Sequence, residues 1–228
     1  MVRLFYFRYM TGKNEIVKTQ DGSHSLISAH YGEMYHSKHG AMQESLHVFI
    51  KNGWDLRRQG ISSINIFEMG FGTGLNAWLT FKHSKQVAIN YYTVETHPVS
   101  IQTVEQLNYV GGNDREQFLK FHQVDWNQWE SVSPTFSLYK FKGELQQIEP
   151  DMKFDLVYYD AFAPSAQPEL WTEAIFKKLY DLMNTGAILS TYCAKGSVKR
   201  ALKAVGFNIE SVPGPPGKRE MTIAYKRI

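Results

Sequence analysis

The chain has 228 residues, of which 43% are hydrophobic and 21% charged, and its formal net charge is +3 at pH 7. These values exclude a disordered class, and the length suffices for one domain with its own core. No apolar run is long enough to span a membrane and no signal-peptide pattern opens the chain, so we expect a cytoplasmic protein without a membrane partner.

The first sixty residues alternate polar and aromatic pieces, with Gly12, Gly22 and Gly32 at expected turns, and end in a helical pattern over Met42–Leu56. We interpret residues 1–60 as an N-terminal extension packed on a core of residues 61–228, the two forming one structural domain.

Strand-like and helix-like patterns then alternate to the end of the chain. Strands are predicted at Ile64–Met69, Asn90–Glu95, Phe136–Phe141, Phe154–Asp160, Ala187–Cys193, Phe207–Val212 and Met221–Lys226. Helices are predicted at Leu75–Lys82, from Pro98 onward, at Pro168–Met183 and at Ser197–Val205. This order predicts an α/β fold, a doubly wound and mostly parallel sheet whose last two strands form an antiparallel hairpin. The loops after Met69, Glu95, Phe141 and Asp160 should meet at one crevice.

The sharpest motif is the segment 66–76, in which a strand ends in three alternate glycines before a helix. Glycines let the backbone approach a ligand closely, and the new helix offers free N–H groups to an anion. The spacing is G-x-G-x-G, unlike the G-x-G-x-x-G of a dinucleotide site, and resembles motif I of S-adenosylmethionine methyltransferases. The candidate cofactor contacts here are Glu68, Gly70, Phe71, Gly72, Thr73, Gly74 and Asn76.

Glu95 ends the next predicted strand, where a carboxylate can accept hydrogen bonds from both ribose hydroxyls of a nucleotide-like cofactor. By itself it does not distinguish S-adenosylmethionine from a dinucleotide. The alternative interpretation is that the glycines form only a tight turn and Glu95 a solvated strand end.

Further segments resemble the MnmC-type tRNA 5-methylaminomethyl-2-thiouridine methyltransferases, called MnmD where the methyltransferase stands alone. The matching segments are 35–45, 68–76, 94–98, 160–171 and 217–221. The resemblance implies a class I, Rossmann-like fold, S-adenosylmethionine as cofactor, and methylation of the 5-aminomethyl group on the wobble uridine of tRNA. It implies no flavin in this chain and a separate flavin oxidase as a partner that supplies the aminomethyl substrate.

The family carries an acid after the third sheet strand, where it binds the adenine amino group. Gly143-Glu144 occupies that place here, with Glu in place of the usual Asp, and Asp125 is the rival for this role.

Asp160 ends the strand that faces the methyl group in the implied site. An aminomethyl group is largely protonated at neutral pH, and a carboxylate within reach can orient it and accept its proton, so Asp160 is the candidate catalytic residue. The alternative role is that of a helix-capping or loop-stabilising acid.

Aromatic residues of the matched segments are candidates for contact with a flipped-out base. Phe162 and Trp171 are of the type that stacks on bases, although Trp171 can equally be core. The resemblance also suggests that Tyr31, Tyr35 and Glu44 close over the substrate.

Basic residues near the end of the chain offer a surface for RNA phosphates, or simply a solvated helix face. They are Lys195, Lys199, Arg200 and Lys203, with Lys218 and Arg219 in the hairpin.

We predict no disulfide, redox or metal-binding role for the cysteine or for the histidines. The single cysteine, Cys193, has no disulfide or CxxC partner, and we interpret it as strand packing. His36, His39 and His47 lack metal-ligand spacing, so we predict no metal.

Two other functions remain open: a class I methyltransferase of a small-molecule or protein amine, and a catalytically silent nucleotide-binding module that supports a partner enzyme. A nicotinamide dehydrogenase fits less well, because its third glycine would come later.

Overall fold

A mixed sheet forms the centre of the computed structural model, which describes residues 12–227. Within these residues, eight strands lie in the order β5-β6-β4-β3-β7-β8-β10-β9. They are β3 Ser63–Met69, β4 Ala88–Glu95, β5 Trp129–Ser133, β6 Phe136–Lys142, β7 Phe154–Tyr159, β8 Met183–Thr191, β9 Phe207–Pro213 and β10 Glu220–Lys226. The five strands from β6 to β8 are parallel, whereas β5 and β10 are antiparallel to their neighbours. The predicted doubly wound sheet with a closing hairpin is therefore confirmed.

The central strands are buried because helices cover both faces of a parallel sheet. In β3, for example, Ile64, Ile66, Phe67 and Met69 are all buried, so the strand is apolar on both faces. The chain runs from β3 outward to β4 and β6, then returns to the other side of β3 at β7. This reversal opens a crevice beyond the carboxyl ends of β3 and β7, where α/β sheets bind ligands.

Two short strands precede the sheet and pair only with each other: β1 Glu15–Lys18 and β2 His24–Ile27. Helix α1 follows as one continuous run of three segments, Ala41–Ser45, the π-helical Leu46–Trp54, and Asp55–Arg57. The remaining helices are α2 Leu75–Ser84, α3 Ile101–Val104, α4 Asp114–Gln123, α5 Glu173–Leu182 and α6 Gly196–Ala204.

Helix α1 lies against strands β7 and β8. Phe49 packs on Tyr158 with ring centroids 5.2 Å apart, and the Ser190 hydroxyl donates to the Val48 carbonyl at 2.7 Å. A β-carbon at Gly53 would lie 2.9 Å from the Tyr158 ring, so glycine permits this close approach. The division into an extension and a core stays a prediction.

Most predicted elements are confirmed within a few residues, and two helices are corrected. The helix expected from Pro98 begins at Ile101, because the Ser100 hydroxyl accepts the Thr103 N–H and caps it there. The helix expected over 168–183 is split: a 3₁₀ turn ends at Trp171, and an extended Thr172 caps α5, which begins at Glu173. Strands β1, β2 and β5 and helix α4 were not predicted. None of the helices in residues 12–227 is both long and apolar enough to cross a membrane.

Candidate cofactor and substrate site

A cavity of about 390 Å³ opens at the carboxyl edge of the parallel strands. Its walls come from the glycine loop after β3, the end of β4, the loop after β7, and the segment between β2 and α1. Three of the four loops predicted to converge therefore do so. The exception is the loop after β6, which does not contribute a lining residue.

The glycine loop is held in a conformation that side chains rarely adopt. Gly70, Gly72 and Gly74 have φ values of +86°, +49° and +70°. A β-carbon at Gly74 would lie 2.6 Å from Nε2 of His122, whose Nε2–H donates to the Thr73 carbonyl at 3.1 Å. Burial lowers the pKa of His122 to about 3, with the nearby charge of Lys140 adding to the effect, so the ring is neutral. No local pattern in the sequence marks this supporting histidine.

Glu95 is fixed at the end of β4 by two backbone donors. One carboxylate oxygen accepts the Gly72 N–H at 3.0 Å, and the other accepts the His97 N–H at 2.8 Å. Each oxygen retains a free lone pair, and Glu95 lines the cavity. This orientation suits a carboxylate that accepts two vicinal hydroxyls.

Asp160 lies in the cavity wall just beyond the end of β7. Burial raises the pKa of its carboxyl group to about 7, and the negative charge of Glu44 adds to the effect. A hydrogen bond from Asn76 Nδ2, 2.8 Å long, and the charge of Lys218 act in the opposite direction. Asp160 can therefore both hold and release a proton near neutral pH.

Glu68 is fully buried behind the glycine loop and does not line the cavity. Burial raises the pKa of its carboxyl group well above the usual value, and the charge of Asp160 raises it further. The side chains of Asn76, Thr93 and Tyr91 lie close to the carboxyl group and lower its pKa. The position does not support the predicted contact of Glu68 with a cofactor.

The lining of the cavity fits a ligand that donates hydrogen bonds. The Thr73 hydroxyl and Asn76 Oδ1 are buried and have no partner among residues 12–227, although both residues line the cavity. S-adenosylmethionine carries an amino group and two ribose hydroxyls, which are donors of the kind these oxygens and Glu95 can accept. The residues present therefore fit the predicted cofactor.

The two candidates for adenine recognition both lie outside the cavity lining. Glu144 is exposed and caps the 3₁₀ turn Leu145–Gln147 with its side chain. Asp125 is also exposed and accepts a hydrogen bond from Gln128 at 3.1 Å. The assignment of Glu144 stays a prediction.

Three aromatic side chains form one wall of the cavity. The ring of Phe162 lies 4.9 Å from that of Tyr31 and 5.1 Å from that of Tyr35. Trp171, by contrast, is only 7% exposed and packs on Tyr159, and its indole N–H donates to the Phe162 carbonyl at 2.8 Å. Trp171 is thus core that positions Phe162.

Glu44 and Lys218 meet inside the cavity although 174 positions separate them in the sequence. The Lys218 ammonium lies 2.6 Å from a Glu44 oxygen and 3.8 Å from the ring centroid of Tyr192, while the other Glu44 oxygen accepts the Ser37 N–H. Lys218 therefore lines the cavity, and its predicted contact with the substrate stays a prediction. Sequence reasoning missed Tyr192, which no local motif marks.

The remaining basic candidates lie outside the cavity lining. Lys195, Arg200 and Arg219 are exposed, and Lys199 pairs with Glu220 at 3.0 Å. Cys193 is buried, in agreement with its interpretation as packing.

The three histidines that were considered as metal ligands have separate partners. His36 contacts the Ser25 hydroxyl, His39 contacts Gln20, and His47 donates to the Pro213 carbonyl.

The chain is similar to a family model, to two longer relatives and to a solved structure. A family model described as S-adenosyl-L-methionine-dependent methyltransferase matches residues 116–227. The chain is 33% identical, over 88% of its length, to the tRNA 5-methylaminomethyl-2-thiouridine biosynthesis bifunctional protein MnmC of Cupriavidus necator. It is 30% identical, over 92% of its length, to the protein of that name from Cupriavidus metallidurans. The chain spans 33% of the length of each of these relatives.

Among solved structures, the crystal structure of MnmC2 from Aquifex aeolicus is similar with a TM-score of 0.79 at 26% sequence identity. The match covers 97% of this chain and 74% of that one. These comparisons confirm the predicted class I fold and the predicted cofactor, S-adenosylmethionine.

Proposed function

We propose that this chain, which belongs to the family of S-adenosyl-L-methionine-dependent methyltransferases, methylates the 5-aminomethyl group of the wobble uridine of tRNA. The product would be 5-methylaminomethyluridine or its 2-thio form. The names of the MnmC relatives support this substrate, as do the residues that surround the cavity.

One observation carries the proposal: the Asp160 carboxyl group lies beside an aromatic wall in the same cavity. Its ionised form can attract a primary ammonium group, whereas Glu44 is already paired with Lys218, and Phe162 and Tyr35 offer faces to the flat base that carries the amine. Aromatic rings replace lost base stacking at about 1–3 kcal/mol per base. A cationic amine attached to a pyrimidine matches both features.

The cofactor supplies a methyl group on a sulfonium centre. Nitrogen can attack only with a free lone pair, so the ammonium must first lose a proton. Asp160 is the acceptor we assign, because its pKa of about 7 lets it take a proton from the ammonium and return it to water. Lys218 holds Glu44 in place, and Asn76 orients the Asp160 carboxylate.

The cofactor itself would be held by the glycine loop and Glu95. Glu95 would accept its ribose hydroxyls, and the oxygens of Thr73 and Asn76 would accept its remaining donors. The N-terminal end of α2, which begins at Leu75, offers N–H groups to the cofactor's carboxylate.

The proposal requires a second activity that exposes the amine. The relatives are named bifunctional, and we propose a separate flavin oxidase as the source of the aminomethyl group. Both activities would operate in the cytoplasm on tRNA.

The test is to incubate the protein with methyl-labelled S-adenosylmethionine and tRNA that carries 5-aminomethyluridine at the wobble position. Digestion and mass analysis should place the label in 5-methylaminomethyluridine. The matched control is the same tRNA with unmodified uridine, which should take up no label. Equal labelling of a small free amine, without tRNA, would contradict the proposal and favour a small-molecule methyltransferase.

A further inference from the structure

A second groove, of about 950 Å³, lies next to the cavity. It runs between the segment that precedes β1, the loop after β2, and the segment 96–106 that follows β4. Tyr35 and Thr96 line both the groove and the cavity, so the two spaces share a wall. The groove therefore lies beside any ligand held in the cavity.

The groove is basic. Lys13 and Lys142 line it, both are exposed, and neither forms a salt bridge within the described part of the chain. Its described lining includes no carboxylate, although the chain has 22 acidic residues. By contrast, the ammonium groups of Lys82, Lys199 and Lys218 are each paired with a carboxylate. The charge in the groove is available to an anion.

A row of aromatic rings leads from this groove to the cavity. His30 and His97 stack with ring centroids 4.2 Å apart, and both are exposed. Tyr31 lies 6.1 Å from His97 and 4.9 Å from Phe162, which lines the cavity. The rings thus offer successive stacking positions along one path.

We propose that this groove, here named the lysine groove, binds the nucleotides that flank the target base in single-stranded RNA. Lys13 and Lys142 contact their phosphates, and the His30–His97 pair stacks on a neighbouring base. A basic channel combined with aromatic platforms is the arrangement by which proteins hold single-stranded nucleic acid. The inference rests on the proposed function, because it takes RNA as the substrate.

The test is the affinity of the protein for a fluorescent anticodon stem-loop RNA, measured by anisotropy over a range of salt concentrations. The double variant K13A/K142A should bind about tenfold more weakly at low salt. The slope of log affinity against log salt should fall by about 1.4, since each single-strand phosphate contact contributes about 0.7. H97A should weaken binding without changing this slope.

Two matched controls remove the same charge elsewhere. Lys85 follows the end of α2 and Lys153 precedes β7, so both lie at the edge of the sheet opposite the cavity. K85A/K153A should bind the RNA as the unaltered protein does. R200A/K203A tests the basic face of α6, and its binding should fall less than that of K13A/K142A. Unchanged affinity for S-adenosylmethionine in all variants shows that each is folded.

The lysine groove is contradicted if K13A/K142A keeps the affinity and the salt slope of the unaltered protein, or if R200A/K203A alone loses them. Methylation of the modified tRNA, followed in parallel, separates the two proposals. RNA that binds through the lysine groove but takes up no methyl group contradicts only the proposed function. RNA that is methylated at the same rate and KM by K13A/K142A contradicts only the groove.

Discussion

The Asp160 side chain has a proposed role in catalysis, but its charged form is unfavourable in the folded protein. Its neutral form is favoured by burial and by Glu44, yet the proposed proton transfer needs its charged form. Catalysis should therefore rise with pH as the carboxyl group ionises.

Asp160→Asn should lose most of its methyltransferase activity. The unaltered protein should show an acidic limb in kcat/KM with a midpoint of about 7, set by the pKa of Asp160. The variant should lack this limb, and its kcat should be about 100-fold lower, which is within the usual range for loss of a general base. Its affinity for S-adenosylmethionine should stay close to normal. Stopped assays over a range of pH check this. A variant with full activity and the same limb would remove Asp160 from the mechanism.

The same substitution should stabilise the fold. The pKa of Asp160 is raised from 3.8 to about 7 on folding, so its contribution to stability is complete below pH 4 and is lost as pH rises through 7. Asparagine does not ionise, so the variant does not lose stability in this way as the pH rises. Above pH 7 we expect Asp160→Asn to be more stable by about 2 kcal/mol, half of the roughly 4 kcal/mol that a group sealed from water would give. Thermal unfolding of both proteins at pH 4 and pH 8 measures the difference, which should vanish at the lower pH.

Gly74 offers a test of the cofactor loop. Gly74→Ala places a β-carbon 2.6 Å from His122 at a φ of +70°. We therefore expect the variant to lose about 3 kcal/mol of stability and also to lose affinity for the cofactor. Gly60→Ala is the matched control: its φ is +71° and nothing lies within 4 Å of the added carbon. That variant should lose only about 1 kcal/mol and no affinity. Calorimetric titration with S-adenosylmethionine and chemical unfolding check both.

At the scale of elements, the ion pair between Glu44 and Lys218 joins α1 to the hairpin of β9 and β10. Glu44 raises the pKa of Asp160 and Lys218 lowers it. Glu44→Gln should therefore move the acidic limb of the activity profile to lower pH, and Lys218→Met should move it to higher pH. Lys218→Met should also destabilise the protein, because it leaves the buried charge of Glu44 without its partner. A limb that stays at the same pH in both variants would show that neither charge acts on Asp160.

The elements found from sequence are those with a strong local pattern. Strand β3 and the glycine loop combine a buried apolar run with alternate glycines, and the structure places them as predicted. Helix α4 escaped prediction because only Phe118 and Phe121 of its ten residues are buried. Strand β5 has a single buried residue, Val132, and so carries no alternation.

The site residues that could be predicted are likewise those that a local pattern marks. Asp160 and Glu95 follow strands and could be placed at the crevice from the order of elements alone. The pairing of Glu44 with Lys218, the support from His122 and the position of Tyr192 depend on contacts between distant segments. No periodicity in the sequence encodes them.

The cavity joins segments that are distant in the sequence, so ligand binding should raise the free energy of unfolding of the whole protein. S-adenosylmethionine at about 100 times its Kd should add about 2.7 kcal/mol, or about 5–10 °C in Tm for a chain of this size. Thermal unfolding with and without the cofactor measures this. NADH at the same concentration is the control, and an equal rise with NADH would contradict the assigned cofactor.

The meeting of Glu44 and Lys218 also bears on the order of events during synthesis. A ribosome completes the glycine loop and Asp160 long before it adds Lys218, the last of the described cavity residues in chain order. A nascent chain that stops short of this lysine also lacks β10, whose Met221, Ile223 and Ala224 are buried in the core, and it leaves Glu44 without its counter-charge. Such a long-range contact forms late because a large loop must close first. The wall of the cavity that holds Lys218 is thus completed only when the final hairpin docks, so the cavity and the last part of the core are finished in the same late step.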